Sequence, residues 1–286
     1  MNLKETNILW LTDHTISDVP AGGAEITDSY IISAGKSLGY NIKVITPNII
    51  NSKDVDACDL VIFSNNFEFP SKVRQTLMRE KPYVAYSHDS GRWMSILEKR
   101  RDFFQKSAVS IFLSPLHRDC FKKYLSGVEH MICVPPYIPN YFYDLGNKRN
   151  GRILYAGNIH EGKGLWDIIN FAKKNPETVI DFYYHRASSG ILGALKSQRN
   201  CRPLGYVPKE EIFNKYNEYT YFMHTPTCKE AFGRAVAEAY LSGCKIITNN
   251  SVGAFSYGWD YKAMRTNTLH ANVLFWSKLA KELEFI

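Results

Sequence analysis

Three stretches of the chain combine residue types that can do chemistry. In the first, Gly157-Asn158-Ile159-His160-Glu161-Gly162-Lys163-Gly164, a lysine sits in a glycine-rich loop. Glycines let backbone approach a ligand closely, and a lysine there can make a charge-assisted bond to a phosphate, worth roughly 1.5–3 kcal/mol. Gly157 to Lys163 matches most of a P-loop, G-x-x-x-x-G-K, but the next residue is Gly164, where that loop needs a hydroxyl for Mg²⁺. The second stretch runs from Thr227 to Gly243. Glu230 falls just before a helix, and Glu238 lies inside it among Ala235, Ala237 and Ala239, small neighbours that leave room for something to pack. The third is Val19-Pro20-Ala21-Gly22-Gly23-Ala24-Glu25. Its paired glycines open a helix whose N-terminus offers unpaired N–H groups and a positive dipole end. This is not the G-x-G-x-x-G fingerprint, so a nicotinamide or flavin enzyme loses its main support. Asp54-Val55-Asp56 precedes the amino end of a strand, away from where parallel sheets bind ligands, and reads as a solvated turn.

Alternating strands and helices must position these loops. Asn7–Thr12 reads as a first strand, and Ala24–Leu38 as a helix with Ile26, Tyr30, Ala34 and Leu38 on one face. Asn41–Thr46, Leu60–Phe63, Tyr83–Ser87 and Val109–Leu113 read as strands, with helices over Pro70–Arg79 and Arg92–Lys106. Pro135-Pro136-Tyr137-Ile138-Pro139-Asn140 and the polar run Gly146–Gly151 read as an extended linker near mid-chain. The alternation restarts at Arg152–Ala156. Strands over Val179–Tyr184, Cys201–Val207, Tyr221–His224 and Lys245–Thr248 interleave with helices over Leu165–Lys174, Gly190–Ser197, Lys209–Tyr216 and Gly233–Ser242. One more helix, Leu269–Leu283, carries Leu269, Val273, Trp276, Leu279, Ala280 and Leu283 as an apolar stripe that needs a surface to cover. The expected class is α/β: two doubly wound, parallel-sheet, Rossmann-like domains facing a cleft, over residues 1–138 and 150–266, followed by a C-terminal helix over 267–286.

Composition narrows the classes. Apolar residues make up 45% and charged residues 22% of 286 residues, which excludes a disordered or fibrous chain. No apolar run approaches the ~20 residues of a membrane helix. Ile8–Leu11 is too short for a signal-peptide core, so a cytoplasmic protein is expected. The six cysteines are dispersed, without the clustering that a disulfide framework or zinc site needs. A net charge of +7 fits an anionic small molecule, an anionic lipid surface or nucleic acid. The basic runs Lys72–Lys81 and Lys99–Lys106 have no nucleic-acid-binding motif around them. They read as solvated helix faces, with peripheral docking on an anionic membrane as the alternative.

Taken in this order and spacing, the loops resemble the family 4 glycosyltransferases, which have the two-domain GT-B fold. The signature is Glu230-x7-Glu238, with Gly22-Gly23 after the first strand and Gly162-Lys163-Gly164 after the first strand past mid-chain. Leu204-Gly205-Tyr206-Val207 and Lys229-Glu230-Ala231-Phe232-Gly233 look like the family's nucleotide- and sugar-binding segments. The resemblance implies a retaining transfer of a hexose from a UDP- or GDP-linked sugar to a glycan or lipid-linked acceptor, with no cofactor and no metal. The first domain would then bind the acceptor and the second the donor. By the same resemblance Lys163 binds the donor diphosphate, and Glu230 holds sugar hydroxyls in a catalytic position. Phe232 and Gly233 supply a helix start that faces sugar and diphosphate. Glu238 accepts from the ribose, Gly22 and Gly23 close over the phosphates, and His88 lies near donor sugar and acceptor as a second catalytic candidate. Tyr206 lies near the base. Asn158 stands where the family has a second, arginine cation, and Arg234 is the candidate substitute. The final helix would cross back to the first domain. Two other readings stay open: a P-loop-like nucleotide-binding protein, and a catalytically inactive glycan- or nucleotide-binding module.

Overall fold

The structure is a computed structural model. It describes every residue except 16, 18–21, 50, 90–101, 123, 124, 147, 285 and 286, and the backbone only at 209 and 210. Val19, Pro20 and Ala21 of the first glycine loop and most of the helix expected over Arg92–Lys106 lie outside the described residues. The chain divides into two compact units. Unit 1 contains Met1–Tyr137 and Asn267–Ile286, and unit 2 contains Ile138–Thr266.

Unit 1 is built on six parallel strands: β1 (Asn7–Leu11), β2 (Asn41–Ile45), β3 (Leu60–Phe63), β4 (Tyr83–Tyr86), β5 (Val109–Phe112) and β6 (Met131–Cys133). Between them run α1 (Gly23–Ser37), α2 (Ser52–Ala57), α3 (Ser71–Glu80), α4 (Asp102–Gln105) and α5 (Pro115–Cys120). The strand order is β2-β1-β3-β4-β5-β6. Every residue of β3, β4 and β5 is buried, as expected for central strands covered on both faces. Their side chains alternate between two cores. Leu9, Val61, Phe63, Tyr83, Ala85 and Phe112 point to one face with Phe103, Phe104 and Phe121. Trp10 and Tyr86 point to the other and meet Phe275 and Trp276, with ring centroids 5.1 to 6.2 Å apart.

Unit 2 carries β7 (Ile153–Ala156), α6 (Leu165–Lys174), β8 (Ile180–Tyr183), α7 (Ser189–Lys196), β9 (Cys201–Gly205), α8 (Lys209–Glu218), β10 (Tyr221–His224), α9 (Arg234–Leu241), β11 (Lys245–Thr248) and the first part of α10 (Tyr261–Leu269), up to Thr266. Its five parallel strands run β11-β10-β7-β8-β9. The last helix, α11 (Ala271–Leu283), packs on α1 in unit 1.

Four local expectations are corrected. Asp54-Val55-Asp56 lies within helix α2, and Asp54 is buried rather than solvated. The Asp54 carboxylate is taken by Lys43 and by the Asn51 side chain, while the Asn51 Oδ1 caps the helix. The face of α1 that meets the core is Thr27, Asp28, Ile31 and Gly35 beside Ile26, so Leu38 is exposed. In α11, Val273 is exposed and Phe275 takes the buried place. The stretch after Pro139 is no free linker: Phe142 and Tyr143 are buried, the Ser242 hydroxyl donates to the Phe142 carbonyl at 2.6 Å, and Arg149 Nη1 donates to the carbonyls of Tyr216 and Tyr219.

Gly35 lets α1 and α11 come together. A Cβ there would lie 2.5 Å from Trp276 Cζ2 and 2.6 Å from Ile42 Cδ1. The Trp276 indole N–H then donates to the Ile31 carbonyl at 2.8 Å. Gly35→Ala should therefore destabilise the protein by about 1–3 kcal/mol through overpacking, in spite of alanine's better helix propensity. Urea denaturation measures this, and an unchanged or higher midpoint would contradict the packing.

Candidate functional site

In a doubly wound sheet, ligands bind beyond the carboxyl ends of the strands where the order reverses. In unit 2 that point lies between β7 and β10. The lysine loop leaves β7, and the glutamate loop leaves β10.

The β7 loop is shaped by glycine. The Gly157 N–H donates to the Tyr183 carbonyl at 3.0 Å, and the Tyr155 hydroxyl holds the Asn158 carbonyl at 2.8 Å. A short 3-10 turn, Glu161–Lys163, then delivers Lys163 just before α6. Gly164 adopts a left-handed conformation (φ 71°), and a Cβ there would sit 1.7 Å from the Thr225 carbonyl oxygen. No serine or threonine fits, so the hydroxyl that a P-loop requires has no place in this backbone. The two loops are tied to each other: the Thr227 N–H donates to the Gly162 carbonyl at 3.2 Å and its hydroxyl to the Glu161 carbonyl at 3.3 Å.

The β10 loop is fixed from the other side by residues 249–254. The Glu230 N–H donates to the Ser251 carbonyl at 2.8 Å, and the Gly253 N–H donates back to the Glu230 carbonyl at 3.2 Å. Phe232 is buried, and its carbonyl accepts from the Ala254 N–H at 2.7 Å. Gly233 is left-handed (φ 82°) and opens α9 with no side chain capping it. A Cβ at Gly233 would lie 2.7 Å from Val252 Cγ1 and 3.2 Å from Glu230 Oε2.

Two acid–base pairs flank this helix start. Lys163 Nζ lies 2.5 Å from Glu230 Oε1, and His224 Nε2 lies 2.9 Å from the same oxygen. Arg234 Nε lies 2.7 Å from Glu238 Oε1 one turn along α9, with the Tyr216 hydroxyl 3.5 Å from Oε2. Burial by itself would raise the Glu230 carboxyl, but His224 and then Lys163 outweigh it and hold it down at about 2. Burial and the neighbouring Lys163 lower His160. Burial, reinforced by Glu238, pushes the Tyr216 phenol well up.

Other expected residues lie elsewhere. Asn158 turns its Oδ1 to the Arg186 N–H at 3.2 Å, as part of the loop's own structure. Tyr206 follows β9, is 59% exposed and stands edge-on to His185. In unit 1, Gly22 is the N-cap of α1 and Gly23 its first residue, neither with positive φ. His88 follows β4, its side chain is 3% exposed, and its Nε2 lies 2.8 Å from Asp28 Oδ1 of α1. Asp28 Oδ2 also accepts from the Ser64 hydroxyl at 2.6 Å and the Trp10 indole at 3.2 Å. Beside α1 lies a cavity of about 580 Å³ whose walls include Thr12, His14, Glu25, Ser29, Ser33 and Lys36. Sequence reasoning missed His224 and Asp28. Each carried a signal: one ends a strand at the switch point, and the other is a carboxylate between Ile26 and Ile31 on the core-facing side of α1. Among the described residues no group of three or more His, Cys, Asp or Glu side chains could hold a metal ion, and no helix is long and apolar enough to cross a membrane.

No protein-family model matches the sequence, and no curated protein matches it. Solved structures do. Anabaena HepE in complex with UDP superposes with a TM-score of 0.69 at 16% identity, over 98% of this chain and 100% of that one. The sucrose-phosphate synthase of Thermosynechococcus elongatus gives 0.70 at 13%, over 91% and 88%. A glycosyltransferase from Rickettsia africae gives 0.69 at 13%, over 97% and 98%. These likenesses establish the fold: two parallel, doubly wound sheets of the Rossmann-like GT-B class.

The Glu230 environment sets a pH dependence. A carboxyl held near 2 when folded and near its ordinary value when unfolded stabilises the protein above about pH 4.5, and that stability is lost as pH falls towards 2. Glu230→Gln should flatten this part of the acid-unfolding curve. A variant and parent that lose stability in parallel between pH 5 and 2 would show that the pair contributes nothing.

Proposed function

We propose that the chain is a retaining glycosyltransferase that moves a hexose from a UDP- or GDP-linked sugar to a glycan or lipid-linked acceptor. The observation behind this reading is the meeting of Lys163 and Glu230 at 2.5 Å across the two switch-point loops, beside the uncapped start of α9. A cation and a helix N-terminus suit a diphosphate, and a partly buried, ionised carboxylate suits sugar hydroxyls. Support comes from the company the fold keeps, since HepE is solved with UDP and with UDP-glucose.

On this reading Lys163 and the helix start at Phe232–Gly233 stabilise the charge that builds on the leaving diphosphate. Glu230 orients the donor sugar, and Glu238 takes the ribose hydroxyls. Tyr206 lies near the base, and Arg234 supplies the cation that Asn158 does not. In unit 1, Gly22 and Gly23 are assigned to the phosphates and His88 to the donor sugar and acceptor. The cavity beside α1, walled by Ser29, Ser33, Glu25 and Lys36, offers hydroxyl and charged partners that suit an acceptor glycan. No step needs a cofactor or metal. The P-loop alternative is disfavoured because Gly164 admits no side chain.

A thermal-shift screen against UDP, GDP, ADP and their sugars tests the donor class, because a tight ligand raises stability by mass action. Lys163→Ala should weaken nucleoside-diphosphate binding about tenfold to a hundredfold with the fold intact. Glu238→Ala should weaken free diphosphate as well as donor, whereas Glu230→Ala should spare free diphosphate and cripple transfer. Transfer should survive EDTA. If no nucleotide shifts the melting temperature, or Lys163→Ala binds as the parent does, the reading is wrong.

A further inference from the structure

Glu230 offers both of its cationic or donor neighbours the same oxygen. Lys163 Nζ and His224 Nε2 lie 2.5 and 2.9 Å from Oε1, while Oε2 points towards Gly233. The two neighbours differ in kind. Lys163 rides on a flexible stem in a turn, and its side chain is 32% exposed. His224 ends β10, its side chain is 6% exposed, and its ring lies 6.0 Å from that of Tyr155. Facing a carboxylate, Nε2 donates, which leaves Nδ1 as the ring's other polar atom. That Nδ1 is buried without a hydrogen-bond partner. An apolar residue would fill this core position without an orphaned polar atom, so packing alone does not account for histidine here.

We propose that His224 is the positioning residue of Glu230, holding the carboxylate ionised and oriented so that Lys163 is free to turn to an anionic ligand. The inference rests on the donor-binding reading of Lys163 and Glu230. A lysine that answers a diphosphate leaves its carboxylate behind, and a buried carboxylate with no partner takes up a proton or moves. With His224 in place neither need happen, and Oε2 stays available to a sugar hydroxyl. The other titratable groups facing Glu230 are His160 in the lysine loop and the Tyr155 hydroxyl from β7, while Arg234 of α9 is committed to Glu238. Neither His160 nor Tyr155 is hydrogen-bonded to Glu230: the Tyr155 hydroxyl is spent on the Asn158 carbonyl. His224 is therefore the partner that remains.

The test uses reach. In His224→Gln the amide extends to where Nε2 sits, and in His224→Asn it stops near Nδ1. His224→Leu removes the polar group. The first measurement is the Glu230 carboxyl titration by carbon-13 NMR in the Lys163→Ala background, which imitates a departed lysine and needs no ligand. With His224 or Gln at 224 the titration should stay low, and with Asn or Leu it should rise by about one unit or more. The second is kcat and KM against pH with donor sugar, in otherwise unaltered protein. Asn and Leu should lower kcat roughly tenfold to a hundredfold and move the acid limb upwards. Gln should restore most of the rate, and UDP affinity should change little throughout. If His224→Leu does not fold, the Gln and Asn variants decide alone, because they differ in reach and share polarity. A Glu230 titration indifferent to residue 224, or equal behaviour of Gln and Asn, would overturn the proposal. If the parent binds no nucleoside diphosphate, the transferase reading fails, and the ligand-free titration still judges the anchor.

Discussion

A carboxylate removed from water has to be met by donors, and this requirement organises both units. Glu230 is met by His224 and Lys163, and Asp28 by His88, Ser64 and Trp10. Removing a partner leaves such a carboxylate short of a donor, so the elements that carry the partners are not free to drift. In unit 2 this fixes the exits of β7 and β10 against each other. In unit 1 it fixes α1 against the exits of β3 and β4. Both histidines present Nε2 to the acid and leave a buried Nδ1 without a partner. The two units thus solve one electrostatic problem in the same way, with different chain segments.

Bringing the unit 2 loops close enough for that pairing puts a steric demand on the backbone. At Gly164 the chain passes so near the Thr225 carbonyl that no side chain is admitted, and at Gly233 a Cβ would lie 2.7 Å from Val252 Cγ1. Both residues are left-handed as well. Glycine at these positions is therefore required twice, by conformation and by contact. The consequence for chemistry is direct. The Gly164 that makes the loop fit is also the residue that removes the Mg²⁺-binding hydroxyl of a P-loop. What remains beside the helix start is a lysine paired with Glu230.

Much of this was legible in the sequence, and the illegible part has a common cause. Strand and helix alternation and the glycine, lysine and glutamate loops are local patterns, read within a few residues of each other. Partners are not. Lys163 and Glu230 are 67 residues apart, and His88 and Asp28 are 60 apart, so nothing local says that they meet. Periodicity gave helical faces without their exact rotation. On α1 the four-residue spacing pointed to Tyr30 and Leu38, whereas Thr27, Asp28, Ile31 and Gly35 face the core, because Asp28 is drawn inward by its three donors and Gly35 by Trp276. On α11 the stripe rotated from Val273 to Phe275 for a similar reason: the core around Trp10 has room for a flat ring. Asp54 looked solvated because its bonds to the Asn51 cap and to Lys43 depend on a helix too short to show a period.

The charges around the start of α9 also bear on how an anion would bind there. Lys163 and Arg234 are each matched by a glutamate, Glu230 and Glu238, so the four side chains together are neutral. A diphosphate placed on such a cluster does not meet waiting cations. It competes with carboxylates that already hold them, and the net gain is the difference between two ion pairs. That difference is small when the displaced carboxylate is stranded, and larger when it keeps a donor of its own. Glu230 keeps His224, and Glu238 has the Tyr216 hydroxyl nearby. On the proposed reading, nucleotide affinity in this protein is set as much by what its glutamates retain after the exchange as by the strength of the lysine–phosphate contact itself. On that reading the exchange depends on the two residues, His224 and Tyr216, that stay with the glutamates.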